Sequence, residues 1–136
     1  MRRAIAVCAA FAIGWIVYMI AMVMTVYDGI TSLIFQPIIA AVFSSVAVGV
    51  GLLVGCIFCI PPMGRFWRSS WFWAAALAGG SILVMICGAD WGLTQTFTNP
   101  ETGHQSVGLR SDVALVSYLV LIFAVANWPV RRSDDT

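Results

Sequence analysis

Four long stretches of this chain carry no charged side chain: about residues 4–26, 37–60, 71–89 and 113–130. Roughly 20 apolar residues of helix cross a hydrocarbon layer about 30 Å thick. In lipid the backbone must satisfy its own polar groups, which favours helices. The stretches therefore read as four transmembrane helices. The expected fold is an all-α membrane bundle forming a single integral domain over residues 1–136. Only 10% of the residues are charged, against about 25% in soluble domains.

The first stretch follows Met-Arg-Arg, as a signal peptide would. Its length of about 23 residues exceeds the roughly 7–15 of a signal core, so a retained first helix is expected.

All seven basic residues are arginine. Arg2, Arg3, Arg65, Arg68, Arg131 and Arg132 fall at the two ends and in the second connection, which four spans place on one side. Arg110 stands alone on the other, with Asp28, Asp90, Glu101 and Asp112. An excess of arginine marks the cytoplasmic side, so both termini are expected there. Trp67, Trp71, Trp73 and Trp128 would form the cytoplasmic aromatic belt, and Tyr27 and Trp91 the outer one. Pro37 suits a first helical turn. Pro61-Pro62 should end the second helix, and Ser111 or Asp112 can cap the fourth.

Small residues let membrane helices approach closely. They recur every four positions as Ala6, Ala10 and Gly14 in the first helix. The second helix has Ala47, Gly51 and Gly55 on one face and Ala41, Ser45 and Gly49 on another. The third has Ala75 with Gly79 and Ala76 with Gly80. Two such faces suggest that the second helix is central. Trp15 and Tyr18 lie in mid-span, and a buried tyrosine hydroxyl needs a partner. Ser44, Ser45, Ser81 or Ser117 could supply it, making Tyr18, Ser44, Ser81 and Ser117 the candidate intramembrane polar contacts.

Residues 90–112 form the one long polar segment, on the outer face. LTQTFT and HQSVGL flank the turn-forming NPETG. The segment is either a β-hairpin leaning on the helix ends or a mobile loop.

The sequence carries little chemistry. Cys56 and Cys59 form a C-x-x-C pair near the cytoplasmic end of the second helix. Zinc wants four ligands, and no fourth is at hand, since Cys87 falls at the opposite face and His104 in the outer segment. Thiols stay reduced on the cytoplasmic side, and free cysteine packs as a small hydrophobe. Packing residues are the plain reading of the pair, with S-acylated or reactive thiols as the alternative. No ionisable residue stands inside the four spans, as proton-coupled carriers require. No catalytic cluster, metal set or cofactor motif is present, and no basic patch suits nucleic acid.

The function expected is therefore non-enzymatic: an accessory, scaffold or assembly subunit. Its expected partners are the lipid bilayer and a membrane protein or further copies of itself. A small homo-oligomeric transporter or channel subunit is the alternative, and a thiol protein using Cys56 and Cys59 the third reading. A water-filled path past Tyr18, Ser44, Ser81 and Ser117 would mark a carrier, and a dry core an accessory protein. Arginine without lysine, with much alanine and glycine, suggests a bacterial inner membrane.

Overall fold

Buried positions at three- and four-residue spacing make each helix. On the second helix the stripe runs through Gln36, Ala40, Ser44, Ala47, Gly51 and Gly55. On the third it runs through Ala74, Ser81 and Gly88, with Ala78 and Met85 half-buried between them. The computed structural model describes residues 2–25, 29–57, 60, 64–65, 67, 71–98 and 103–129. Among these, the elements in chain order are α1 (Arg2–Thr25), α2 (Gly29–Ile57), α3 (Trp71–Cys87), β1 (Thr94–Thr98), β2 (Gln105–Leu109) and α4 (Ser111–Ala126). The fold is mostly helical, with one small antiparallel sheet.

Two helices are long and apolar enough to cross a membrane. Arg3–Met22 has a mean hydropathy of 2.3 and Ile34–Ile57 of 2.4. The apolar helices α3 and α4 are shorter, at 17 and 16 residues.

The second helix begins at Gly29 and not near Pro37, which lies inside it. Proline in a helix interior removes a backbone bond and costs about 3 kcal/mol. The buried stripe continues past it to Gln36, however, so packing holds this turn helical. Trp15 reaches the same turn from α1, its Nε1–H donating to the Pro37 carbonyl over 3.0 Å.

The helix at the centre is α4, which packs against α1, α2 and α3. The expectation that the second helix is central therefore needs correcting. The reason lies in α4's buried set: Ser117, Tyr118, Leu121, Ile122, Ala124 and Ala126 point to more than one side. Gly51 lies against the Phe123 backbone, so close that an added Cβ would stand 3.3 Å from Phe123 Cα. Ser44 meets Tyr118, and Gly55 meets Asn127. These three contacts advance together along both helices, so α2 and α4 run parallel.

Of the two alternatives for residues 90–112, the hairpin forms. Thr94 pairs with Leu109, Thr96 with Val107 and Thr98 with Gln105. An isolated hairpin is marginal, and this one is pinned at its base. Leu93 N–H donates to the Gly88 carbonyl and Arg110 N–H to the Leu93 carbonyl, both over 3.0 Å. Leu109 packs where a side chain at position 88 would stand, its Cδ1 2.7 Å from an added Cβ. Phe97 lies across Gly108 in the same way. The turn residues Asn99, Pro100 and Glu101 lie outside the described residues, as do Tyr27, Asp28, Pro61-Pro62, Arg68, Arg131 and Arg132.

Candidate functional site

Polar side chains join α2 to α4 at two levels and brace the start of α4 at a third. The middle tie is buried. Ser44 on α2 is fully inaccessible, and its Oγ lies 3.0 Å from the Tyr118 hydroxyl on α4. Gly14 on α1 closes over the pair: an added Cβ would come within 2.8 Å of Tyr118 Oη and 3.3 Å of Ser44 Oγ. Phe43 lies between the two tyrosine rings, 5.3 Å from Tyr18 and 6.1 Å from Tyr118. The tyrosine joined to Ser44 is thus Tyr118, on α4, and not Tyr18.

This tie gives an asymmetric expectation. A serine in a helix can turn its hydroxyl to the carbonyl four residues back, as Ser45 does to Ala41 and Ser81 to Leu77. Tyr118→Phe then leaves Ser44 a substitute and costs about 1 kcal/mol, whereas Ser44→Ala strands the phenol and costs about 2 kcal/mol. Chemical denaturation of both variants and the double variant checks this order; equal costs would count against it.

The second tie lies toward the far end of α4. Asn127 Nδ2–H donates to the Gly51 carbonyl over 2.9 Å and to the Phe123 carbonyl over 3.0 Å. Trp67 Nε1–H donates to the Asn127 carbonyl over 2.8 Å, and its ring stands 5.5 Å from Phe123. Trp67 therefore turns inward, while Trp71, Trp73, Trp91 and Trp128 are exposed.

The third tie is at the hairpin end. Arg110 precedes α4 without a side-chain cap. Asp112, expected as a possible cap, sits inside the first turn, where its Oδ1 accepts the Val113 N–H over 2.9 Å. Ser111, the other expected cap, is also helical; its N–H points to Gln95 Oε1 of β1 at 3.5 Å. The Arg110 guanidinium grips Asp112 through Nε at 3.1 Å and Nη2 at 2.6 Å. That hydrogen bond, then the Val113 N–H, holds the Asp112 carboxyl below its ordinary range, and Arg110 is raised in turn.

No family model matches the chain, and no curated protein or solved structure is significantly similar to it.

The other candidate residues are scattered. Ala10 and Gly14 are buried on α1, with Ala6 half-buried. Ala47, Gly51 and Gly55 line the α2 packing face. Gly49 and Gly79 have nothing within 4 Å of an added Cβ, so the Ala41–Ser45–Gly49 and Ala75–Gly79 patterns place no helix against those glycines. On α3 the packed face is instead Ala74 and Ser81. Ser81 is satisfied within its own helix, and Ser117 sits in a side groove apart from Ser44. Cys56 is exposed and Cys59 lies outside the described residues. No three His, Cys, Asp or Glu side chains gather among the described residues. One buried acceptor among them lacks a partner, Gln36 Oε1. Sequence reasoning passed over Tyr118 and Asn127. The signal for both was a polar side chain able to hydrogen-bond within an otherwise apolar stretch.

Proposed function

We propose that the chain is a multi-pass integral membrane protein of four spans. It would serve as an accessory or assembly subunit and not as a catalyst or carrier. What supports the membrane setting is the outward face of α2, one of the two long apolar helices. Ile34, Phe35, Ile38, Val42, Val46 and Leu53 are each more than 60% exposed. In water such a continuous apolar face is unfavourable and marks an interaction surface; lipid tails cover it without cost. At about 1.5 Å per residue, α3 and α4 reach about 24–26 Å, which a locally thinned bilayer accommodates. The arginine bias supports cytoplasmic termini and an outer hairpin, with a bacterial inner membrane as the proposed setting.

The observation that carries the accessory reading is the state of the interior. Ser44 and Tyr118 bond to each other, and Ser81 bonds its own helix. These groups do not join into a polar track. A carrier needs groups that exchange partners with a substrate; here the Ser44–Tyr118 pair and the Asn127 amide are engaged between helices and Ser81 within its own.

Crosslinking in native membranes followed by affinity purification and mass spectrometry tests this. A second membrane protein recovered in near-equal amount is the expected result. Recovery of self-crosslinked species alone would overturn it in favour of a homo-oligomeric channel or carrier subunit.

A further inference from the structure

The hairpin end of α4 carries a feature that bundle packing does not use. An open-sided groove of about 240 Å³ runs along the helix, lined by Asp112, Val113, Val116 and Ser117. That is the room of about eight water molecules at about 30 Å³ each. Ser117 lies five residues below Asp112, about 7.5 Å down the axis at 1.5 Å per residue. The walls between are valine. Asp112 at the groove's upper end is paired with Arg110, the residue just before the helix, and neither is buried: the Arg110 and Asp112 side chains are 51% and 61% exposed.

Their mutual bond leaves capacity unused. Arg110 commits Nε–H and one Nη2 hydrogen to Asp112, so its Nη1 hydrogens and the second Nη2 hydrogen remain. The Asp112 Oδ2 atom accepts only from Arg110, so it can take a further donor. A neutral pair that still offers donors on one side and an acceptor on the other complements a zwitterion. An apolar slot directly below complements a hydrocarbon chain.

We propose that this groove seats a phospholipid with a primary-ammonium headgroup. The phosphate meets Arg110, the ammonium meets Asp112, and the upper part of one acyl chain lies along Val113 and Val116. This rests on the membrane reading above. The headgroup is specified by hydrogen bonding. A choline headgroup carries the same charges but has no N–H to give the carboxylate. A glycerol headgroup has no cation, and sets its phosphate against Asp112.

The test is native mass spectrometry of the full chain in detergent, offered equal amounts of dioleoyl phosphatidylethanolamine, phosphatidylcholine and phosphatidylglycerol. Charge-assisted bonds of this kind predict retention of the ethanolamine lipid by about fivefold over each of the others. Asp112→Asn keeps an acceptor for the Val113 N–H but removes the partner of the ammonium and leaves Arg110 unpaired. The ethanolamine lipid should then lose its advantage over the choline lipid, and the anionic glycerol lipid should gain on both. Arg110→Gln removes the partner of the phosphate and should lower retention of the ethanolamine lipid. Val116→Trp fills the groove and should lower retention of all three. Equal retention by the native chain, a preference that survives both charge substitutions, or retention unchanged by Val116→Trp overturns the proposal. Failure of the membrane reading shows separately, as release of the chain from membranes by alkaline carbonate whatever the lipid.

Discussion

Gly51→Leu lowers the midpoint of thermal unfolding in detergent by about 5–10 °C, while Gly49→Leu, two residues away, leaves it unchanged or slightly raised. Both substitutions replace glycine by a better helix former, which alone favours the helix by about 1 kcal/mol. The environments differ. A Cβ at position 51 would stand 3.3 Å from Phe123 Cα and 3.6 Å from Phe123 N. Those are backbone atoms of a neighbouring helix, and they cannot rotate away. A leucine there must push α2 off α4, and that strains the Asn127 bond to the Gly51 carbonyl as well. At position 49 nothing lies within 4 Å. Differential scanning fluorimetry of the two variants decides the matter. Equal midpoints would mean that α2 and α4 do not meet at Gly51.

The same contrast shows which parts of the fold were legible in the residues. Helix number and place could be read, because uncharged apolar stretches of this length leave few other structures. The hairpin could be read as one of two alternatives, since Thr and Phe alternate about a strong turn. The start of α2 could not. Pro37 is a local signal for a first turn, but packing of Gln36 and Ala40 overrode it. The central helix could not be read from small residues either. Alanine and glycine permit close approach without requiring it, and Gly79 has the same spacing as Gly51 but no neighbour within 4 Å. At two of the true contacts a polar group stands on the opposite side. Tyr118 stands against Ser44 and Gly14, and Asn127 against Gly51 and Gly55. Tyr18 drew attention because it lies in mid-span, whereas Tyr118 lies nearer the start of its helix.

Asn127 and Gly55 form the pair in which that lesson has its largest second consequence. Asn127 fills the volume that a side chain at 55 would need: an added Cβ there would overlap its amide, lying 2.7 Å from Cγ and 2.9 Å from Nδ2. Gly55→Ala alone forces the amide aside and breaks its bonds to the Gly51 and Phe123 carbonyls. That combines overpacking with lost hydrogen bonds, about 2–3 kcal/mol in all. Asn127→Ala alone loses the same bonds and leaves a gap, for about 2 kcal/mol. In the double variant the new methyl enters the space the amide vacated. Its cost should fall short of the sum of the single costs by about 1–2 kcal/mol, as expected for side chains in direct contact. A denaturation cycle over the four proteins measures that coupling. Strict additivity would mean that the amide does not rest against Gly55. Coupling of the expected sign would fix the far ends of α2 and α4 side by side, with Trp67 closing over the Asn127 carbonyl. The second tie would then be a size-matched lock, in which the absence of a side chain at 55 is as necessary as the amide at 127.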